Sequence, residues 1–178
     1  MSLPLRSIAN ALTVARAVAG FPLIVALQFG WQGWAWWLLL LAGLSDAADG
    51  WLARRAGGGS SWGARLDPLT DKVLIAAPLL WLASSGVLPL WAVWLLLARE
   101  LLISGWRAEA SDGAPASSSG KAKTILQFVS LLLMLWPSDW LGAPSLASLG
   151  WWLFWPSLAL ALSSALGYIK PRSAPHHH

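Results

Sequence analysis

The chain contains no cysteine among its 178 residues, which excludes disulfides, thiolate metal sites and a cysteine nucleophile. Charge is also scarce. Only 11% of the residues are Asp, Glu, Lys or Arg, about half the share found in a soluble domain, so an ordinary water-facing globule is excluded. The short alternating segments that would build a transmembrane barrel are missing as well. What is abundant is apolar: 57% of the residues are hydrophobic and 15 are Trp. The apolar residues come in blocks near or beyond the ~20 needed to cross the hydrocarbon core of a bilayer. The sequence therefore predicts an all-α integral membrane protein. The balance of 12 Lys and Arg against 8 Asp and Glu suits anionic headgroups and phosphates, and no nucleic-acid partner is expected.

Apolar runs between breakers give six spans, at about 11–29, 33–55, 67–85, 89–109, 120–137 and 147–169, packed as one bundle. The links 28–33, 84–90 and 137–147 carry no Lys or Arg. Every basic residue lies on the other side, from Arg6 and Arg16 through Arg54, Arg55, Arg65, Lys72, Arg99, Arg107, Lys121 and Lys123 to Lys170 and Arg172. By the positive-inside rule both termini and the even-numbered links are cytoplasmic, and a bacterial inner membrane is the simplest setting. Trp31, Trp34, Trp36, Trp37, Trp91, Trp94, Trp136, Trp140, Trp151 and Trp152 cluster where the spans would meet the outer interface, as membrane anchors do. Residues 1–10 are compatible with a short helix on the membrane surface. Residues 1–172 are read as a single domain and 173–178 as a disordered tail, whose final Pro175-His176-His177-His178 is taken as an expression-tag remnant and left out of metal reasoning.

Four of the eight carboxylates fall within 26 residues, in Asp46-Ala-Ala-Asp49-Gly50-Trp-Leu-Ala53-Arg54 and Gly63-Ala-Arg-Leu-Asp67-Pro-Leu-Thr-Asp71. Asp46 and Asp49 are spaced i,i+3, and Asp67 and Asp71 i,i+4, so each pair shares a helix face. One pair sits on a span descending to the cytoplasm and the other on the span rising from it, so all four converge at similar depth. Four carboxylates this close repel unless a cation sits among them. Hard divalent cations with oxygen ligands suit the set, and Mg²⁺ is commonly held by a few carboxylates together with substrate phosphates. Gly50 leaves the helix surface open to a phosphate, and Arg54 on the same face offers a bidentate contact. Two other readings use the same residues: helix-end salt bridges to Arg54, Arg55, Arg65 and Lys72, or a proton or cation path.

The stretch resembles the signature of the CDP-alcohol phosphotransferases, D-x2-D-G-x2-A-R-x8-G-x3-D-x3-D, with all eight fixed positions present: Asp46, Asp49, Gly50, Ala53, Arg54, Gly63, Asp67 and Asp71. The resemblance implies a six-helix bundle that forms a homodimer. It implies that Asp46, Asp49, Asp67 and Asp71 bind two divalent cations, Mg²⁺ with Mn²⁺ as the alternative. Gly50, Ala53, Arg54 and Gly63 would accommodate the cytidine diphosphate group, and Asp71 would also accept the proton of the acceptor alcohol. The donor would be CDP-diacylglycerol and the released nucleotide CMP, by metal-assisted displacement without a covalent enzyme intermediate.

The acceptor is read from other residues. Arg99 and Arg107 in the fourth span, with Lys121 and Lys123 opening the fifth, place four basic groups near the same depth, which favours an acceptor bearing a phosphate. Lys121 and Lys123 also satisfy the positive-inside rule without any ligand. Arg99 is deep in an apolar span, where a charge is costly and functional use is the default, with Glu100 beside it as partial compensation. Asn10-Ala-Leu12-Thr13-Val-Ala-Arg16, Ala98-Arg99-Glu100 and Gly120-Lys121-Ala122-Lys123-Thr124 with Gln127 resemble the branch of the family that makes phosphatidylglycerophosphate from sn-glycerol 3-phosphate. Thr13 and Arg16 are candidates to line the same cavity. Phosphatidylglycerol, giving cardiolipin, and inositol phosphate are the alternative acceptors, and a cation-coupled transporter is the rival from another class.

Overall fold

A computed structural model describes residues 3–55, 61–109 and 118–169, with side chains at 14–16, 18–45, 70, 72–105 and 122–165. The Gly-rich link, most of the 111–119 link and the tail with its histidines lie outside the described residues. The chain forms α1 (Leu3–Gln28), α2 (Gln32–Arg55), α3 (Ser61–Ser84), α4 (Leu90–Glu109), α5 (Ser118–Met134) and α6 (Ala143–Ile169), with no strand among the described residues. One helix stands over each expected apolar block. The separate surface helix expected at 1–10 does not form, because residues 3–10 run into α1 without a break. Pro4 stands in the first turn, where its missing N–H has no helical partner to lose, and neither Gly nor Pro follows until Gly20.

The helices close a ring. α1 packs against α2 and α3, α3 against α4, α4 against α6, α6 against α5 and α5 against α2, while α3 also meets α5 across the middle. Leu23, Leu39, Leu79, Leu82, Leu96, Leu131 and Phe154 are buried in the shared core. The periphery is apolar too. Val18, Phe21, Leu41, Leu44, Leu80, Trp94, Leu102, Ile125, Leu149 and Trp152 are exposed, far more large hydrophobic surface than a soluble monomer tolerates. Among the described residues one helical stretch, Ala143–Ala165, is long and apolar enough by itself to cross a membrane, and Val14–Gln28, Lys72–Ser84 and Ala122–Met134 are shorter apolar helical stretches.

Two of the links at the end away from the aspartates are closed by glycine. After α1, Gly30 N–H donates to Leu27 C=O (3.2 Å) and Trp31 N–H to Ala26 C=O (2.8 Å). After α3, Gly86 donates to Ala83 (3.1 Å) and Val87 to Leu82 (3.0 Å). Both are Schellman closures, which need a left-handed residue at the turn, and Gly30 and Gly86 each have φ of 73°.

Two other glycines permit close helix crossings. A Cβ on Gly43 would stand 2.1 Å from the Phe128 ring of α5, and one on Gly150 would stand 2.6 Å from the Met134 backbone nitrogen. At that second crossing the Ser130 hydroxyl donates to Gly150 C=O at 2.8 Å, a small-residue contact of the kind that joins helices where no water drives them together.

The tryptophans are not only peripheral. Trp36 donates its indole N–H to Leu132 C=O at 2.9 Å and meets Trp136 and Trp140 edge to face, each at 5.3 Å between centroids. These rings join α2 to the α5–α6 link, so for Trp36 packing is added to the expected anchoring. A groove of about 640 Å³ beside them is lined by Trp31, Trp34, Trp37, Trp140 and Asp139. It lies at the opposite end of the bundle from the aspartate signature.

Candidate active site

Helix register carries the placement of the signature. On α2 and α5, Trp36 faces Leu132 and Gly43 faces Phe128, so the two helices run antiparallel. One further turn along each brings Asp46 level with Thr124, and Asp49 follows on the next turn of α2. Lys123 is at that level. Its ammonium is bonded to Glu100 of α4, which also holds Lys72 of α3 at 2.9 Å, and Lys72 directly follows Asp71. The aspartate-bearing turns of α2 and α3 therefore stand at the depth of one charged layer, with α4 and α5 contributing to it. Asp67 precedes Asp71 by one turn, toward the same end of the bundle. The side chains of Asp46, Asp49, Gly50, Ala53, Arg54, Gly63, Asp67 and Asp71 lie outside the described residues, as do those of Thr13, Arg107 and Lys121.

The charged layer is buried and centred on Glu100. Its carboxylate accepts from Lys123, from Lys72 and from Arg99 Nη1 at 2.8 Å. The side chains of Glu100, Lys123 and Arg99 are no more than 10% exposed, while Lys72 retains 25%. Arg99 also donates from Nε to Ala161 C=O at 2.9 Å and from Nη2 to Ser164 Oγ at 2.6 Å, tying α4 to α6. Burial of so many charges is costly unless each is paired, and three cations on one carboxylate leave two positive charges in excess among the described side chains. Gln127, one turn above Lys123, is buried on the same face of α5.

Arg16 also reaches this depth. The Gly20 position of α1 meets Val73, Leu74 and Ala77 of α3, and α1 and α3 run in the same direction around the ring. One turn earlier on α1, Arg16 falls level with Thr70 and Asp71, and it is buried, with 2% of its surface exposed. Arg16, Arg99 and Lys123 are candidates by sequence alone, whereas Glu100 stands there only as compensation for Arg99 and Lys72 only as a candidate partner for aspartates. The available signal was a second charge adjacent to Arg99 within one apolar span.

The family model for CDP-alcohol phosphatidyltransferase matches residues 6–163. The chain belongs to the CDP-alcohol phosphatidyltransferase family. Curated relatives of this chain include a Mycobacterium tuberculosis protein named "Probable phosphatidylglycerophosphate synthase", 37% identical over 139 residues, which are 74% of this chain and 66% of that protein. The chain thus spans just under two thirds of that relative. A Streptomyces coelicolor protein named "Cardiolipin synthase (CMP-forming)" is 37% identical over 161 residues, 83% of this chain and 74% of that one. An Escherichia coli K12 protein named "CDP-diacylglycerol--glycerol-3-phosphate 3-phosphatidyltransferase" is 34% identical over 164 residues, 86% of this chain and 87% of that one.

Proposed function

We propose that this protein moves a phosphatidyl group from CDP-diacylglycerol to sn-glycerol 3-phosphate, releasing CMP and forming phosphatidylglycerophosphate. The observation that carries the acceptor is the buried layer of Lys72, Arg99 and Lys123, whose excess positive charge matches a small phosphomonoester better than an uncharged alcohol. Arg107 and Lys121 belong to the same acceptor group in this reading, and Thr13 and Arg16 line the cavity. A cardiolipin-forming reaction is the second reading, favoured by the Streptomyces relative. Its acceptor is a lipid phosphodiester with one negative charge, which leaves more of the buried positive charge unmatched.

The proposal places residues 1–172 as one six-helix domain in the membrane, with both termini and the site on the cytoplasmic face. The exposed apolar periphery and the confinement of Lys and Arg to one end of the bundle support it. The homodimer expected of the family belongs to the same proposal.

Asp46, Asp49, Asp67 and Asp71 would hold two divalent cations, Mg²⁺ or Mn²⁺. An all-carboxylate set on two helices at one depth fits hard cations of that kind. When bound, such cations neutralise the diphosphate and stabilise charge on the departing nucleotide. The chain's own residues do the rest. Gly50, Ala53, Arg54 and Gly63 bind the cytidine diphosphate, and the cationic layer orients the acceptor by its phosphate. The Asp71 carboxylate takes the proton of the acceptor hydroxyl as its oxygen bonds to the lipid-side phosphorus and the bond from that phosphorus to the CMP oxygen breaks.

The test is CMP release by the purified protein in mixed micelles of CDP-diacylglycerol and a maltoside detergent. Release is expected only when both Mg²⁺ and glycerol 3-phosphate are present. Release with phosphatidylglycerol in place of glycerol 3-phosphate would move the assignment to cardiolipin formation, and metal-dependent cation flux in sealed vesicles without CMP would replace the enzyme by a transporter.

A further inference from the structure

The Glu100 carboxylate is bonded to cations from three helices: Lys72 of α3, Arg99 of its own α4, and Lys123 of α5. Through Arg99 the layer reaches a fourth helix, at Ala161 and Ser164 of α6. Without a carboxylate in their midst the three cations would repel one another in a place where water screens little, and the layer would spread apart. With Glu100 there, the three stay gathered, and these four side chains by themselves carry a net charge of about +2. A phosphomonoester carries about −1.5 to −2 near neutral pH, so the layer and such a ligand neutralise one another. Lys72 adds a second consequence. It is the residue after Asp71, so its 2.9 Å bond to Glu100 ties the turn of α3 that bears the proposed base to the element that gathers the acceptor's phosphate.

We infer that Glu100 is a positioning residue for the acceptor: it touches no substrate, but it assembles Lys72, Arg99 and Lys123 into a preformed dianion site and sets that site's distance from Asp71. This rests on the glycerol 3-phosphate reading given above, which it extends from the cations to the acid that arranges them. A carboxylate that served only to satisfy buried lysines would affect folding and leave the choice and affinity of the acceptor unchanged. Preorganisation of this kind acts on binding by removing the cost of gathering like charges when the ligand binds.

The experiment compares wild type, Glu100→Gln and Glu100→Asp by CMP release, varying glycerol 3-phosphate and CDP-diacylglycerol separately, with inorganic phosphate as a competitive probe of the anion site. Glu100→Gln keeps the shape and an accepting oxygen but removes the charge that holds the cations. It is expected to raise the KM for glycerol 3-phosphate and the inhibition constant for phosphate together, each at least about tenfold, while the KM for CDP-diacylglycerol stays within about twofold. Glu100→Asp restores the charge on a shorter arm and is expected to recover part of that loss. If Glu100→Gln does not elute as a monodisperse species, the same split is read on Glu100→Asp alone. Unchanged acceptor and phosphate constants, or equal losses for donor and acceptor, would overturn the inference while leaving the reaction assigned. A wild type that shows no dependence on glycerol 3-phosphate would instead overturn the reading beneath it.

Discussion

Replacing Asp71 with Asn is expected to lower turnover by about 10²–10⁴-fold, the range for loss of a positioned general base. The substitution keeps the volume of the side chain and removes both the proton acceptor and one anionic oxygen donor to the proposed metal pair. Asp71 also stands beside Lys72, whose ammonium is fixed on Glu100, so the surrounding backbone has a tether that does not depend on the Asp71 carboxylate. Folding should therefore survive. The measurement is CMP release at saturating acceptor and metal, together with elution and melting behaviour in micelles. Activity within a few-fold of wild type would remove Asp71 from both of its assigned roles. A protein that melts early or aggregates would identify the residue as structural, in line with the salt-bridge reading of the signature.

The second large effect is one of packing. Gly150→Ala is expected to destabilise the bundle by about 1–3 kcal/mol, the usual cost of forcing extra atoms into a closed contact. The added Cβ would lie 2.6 Å from Met134 N, 2.8 Å from Leu133 Cβ and 2.8 Å from Ser130 C=O. Two of these are backbone atoms and cannot swing away, so α5 and α6 must separate, and the bond from the Ser130 hydroxyl to Gly150 is stretched with them. Gly105→Ala supplies the control. Nothing stands within 4 Å of its Cβ position, and Ala is the better helix former by roughly 0.5–1 kcal/mol, so that variant should melt no earlier than wild type. Equal melting of the two variants would contradict the close crossing.

Helix number, order and approximate ends were legible in the sequence because apolar blocks of spanning length leave few alternatives and Gly or Pro stand at the breaks. The aspartate signature was legible because fixed residues at fixed gaps survive without knowledge of the fold. The role of Glu100 was not. Its partners Lys72 and Lys123 lie 28 and 23 positions away, and only the order of helices around the ring brings α3 and α5 to α4 at one height. The crossing at Gly150 was hidden for a similar reason: a glycine within an apolar run looks the same whether it faces lipid or another backbone. For Trp36, position at the interface was readable, but its indole hydrogen bond to Leu132 required knowing that α2 and α5 are neighbours. The continuity of α1 from residue 3 depended on an absence of breakers that a count of apolar residues does not register.

The glycine-closed turns after α1 and α3 bear on how such a chain enters a bilayer. Each joins two helices through a short tip with its carbonyls satisfied internally, and neither the 28–33 nor the 84–90 link contains an ionisable side chain. A charged residue taken to the middle of the hydrocarbon costs roughly 2.5–3.5 kcal/mol even by the most lenient measure. In the orientation proposed above, the first two helical pairs would cross tip first with no ionic barrier at the tip, whereas the third would carry Asp139 through. The carboxylate of that last tip is the step at which translocation of this chain would become sensitive to the voltage across the membrane.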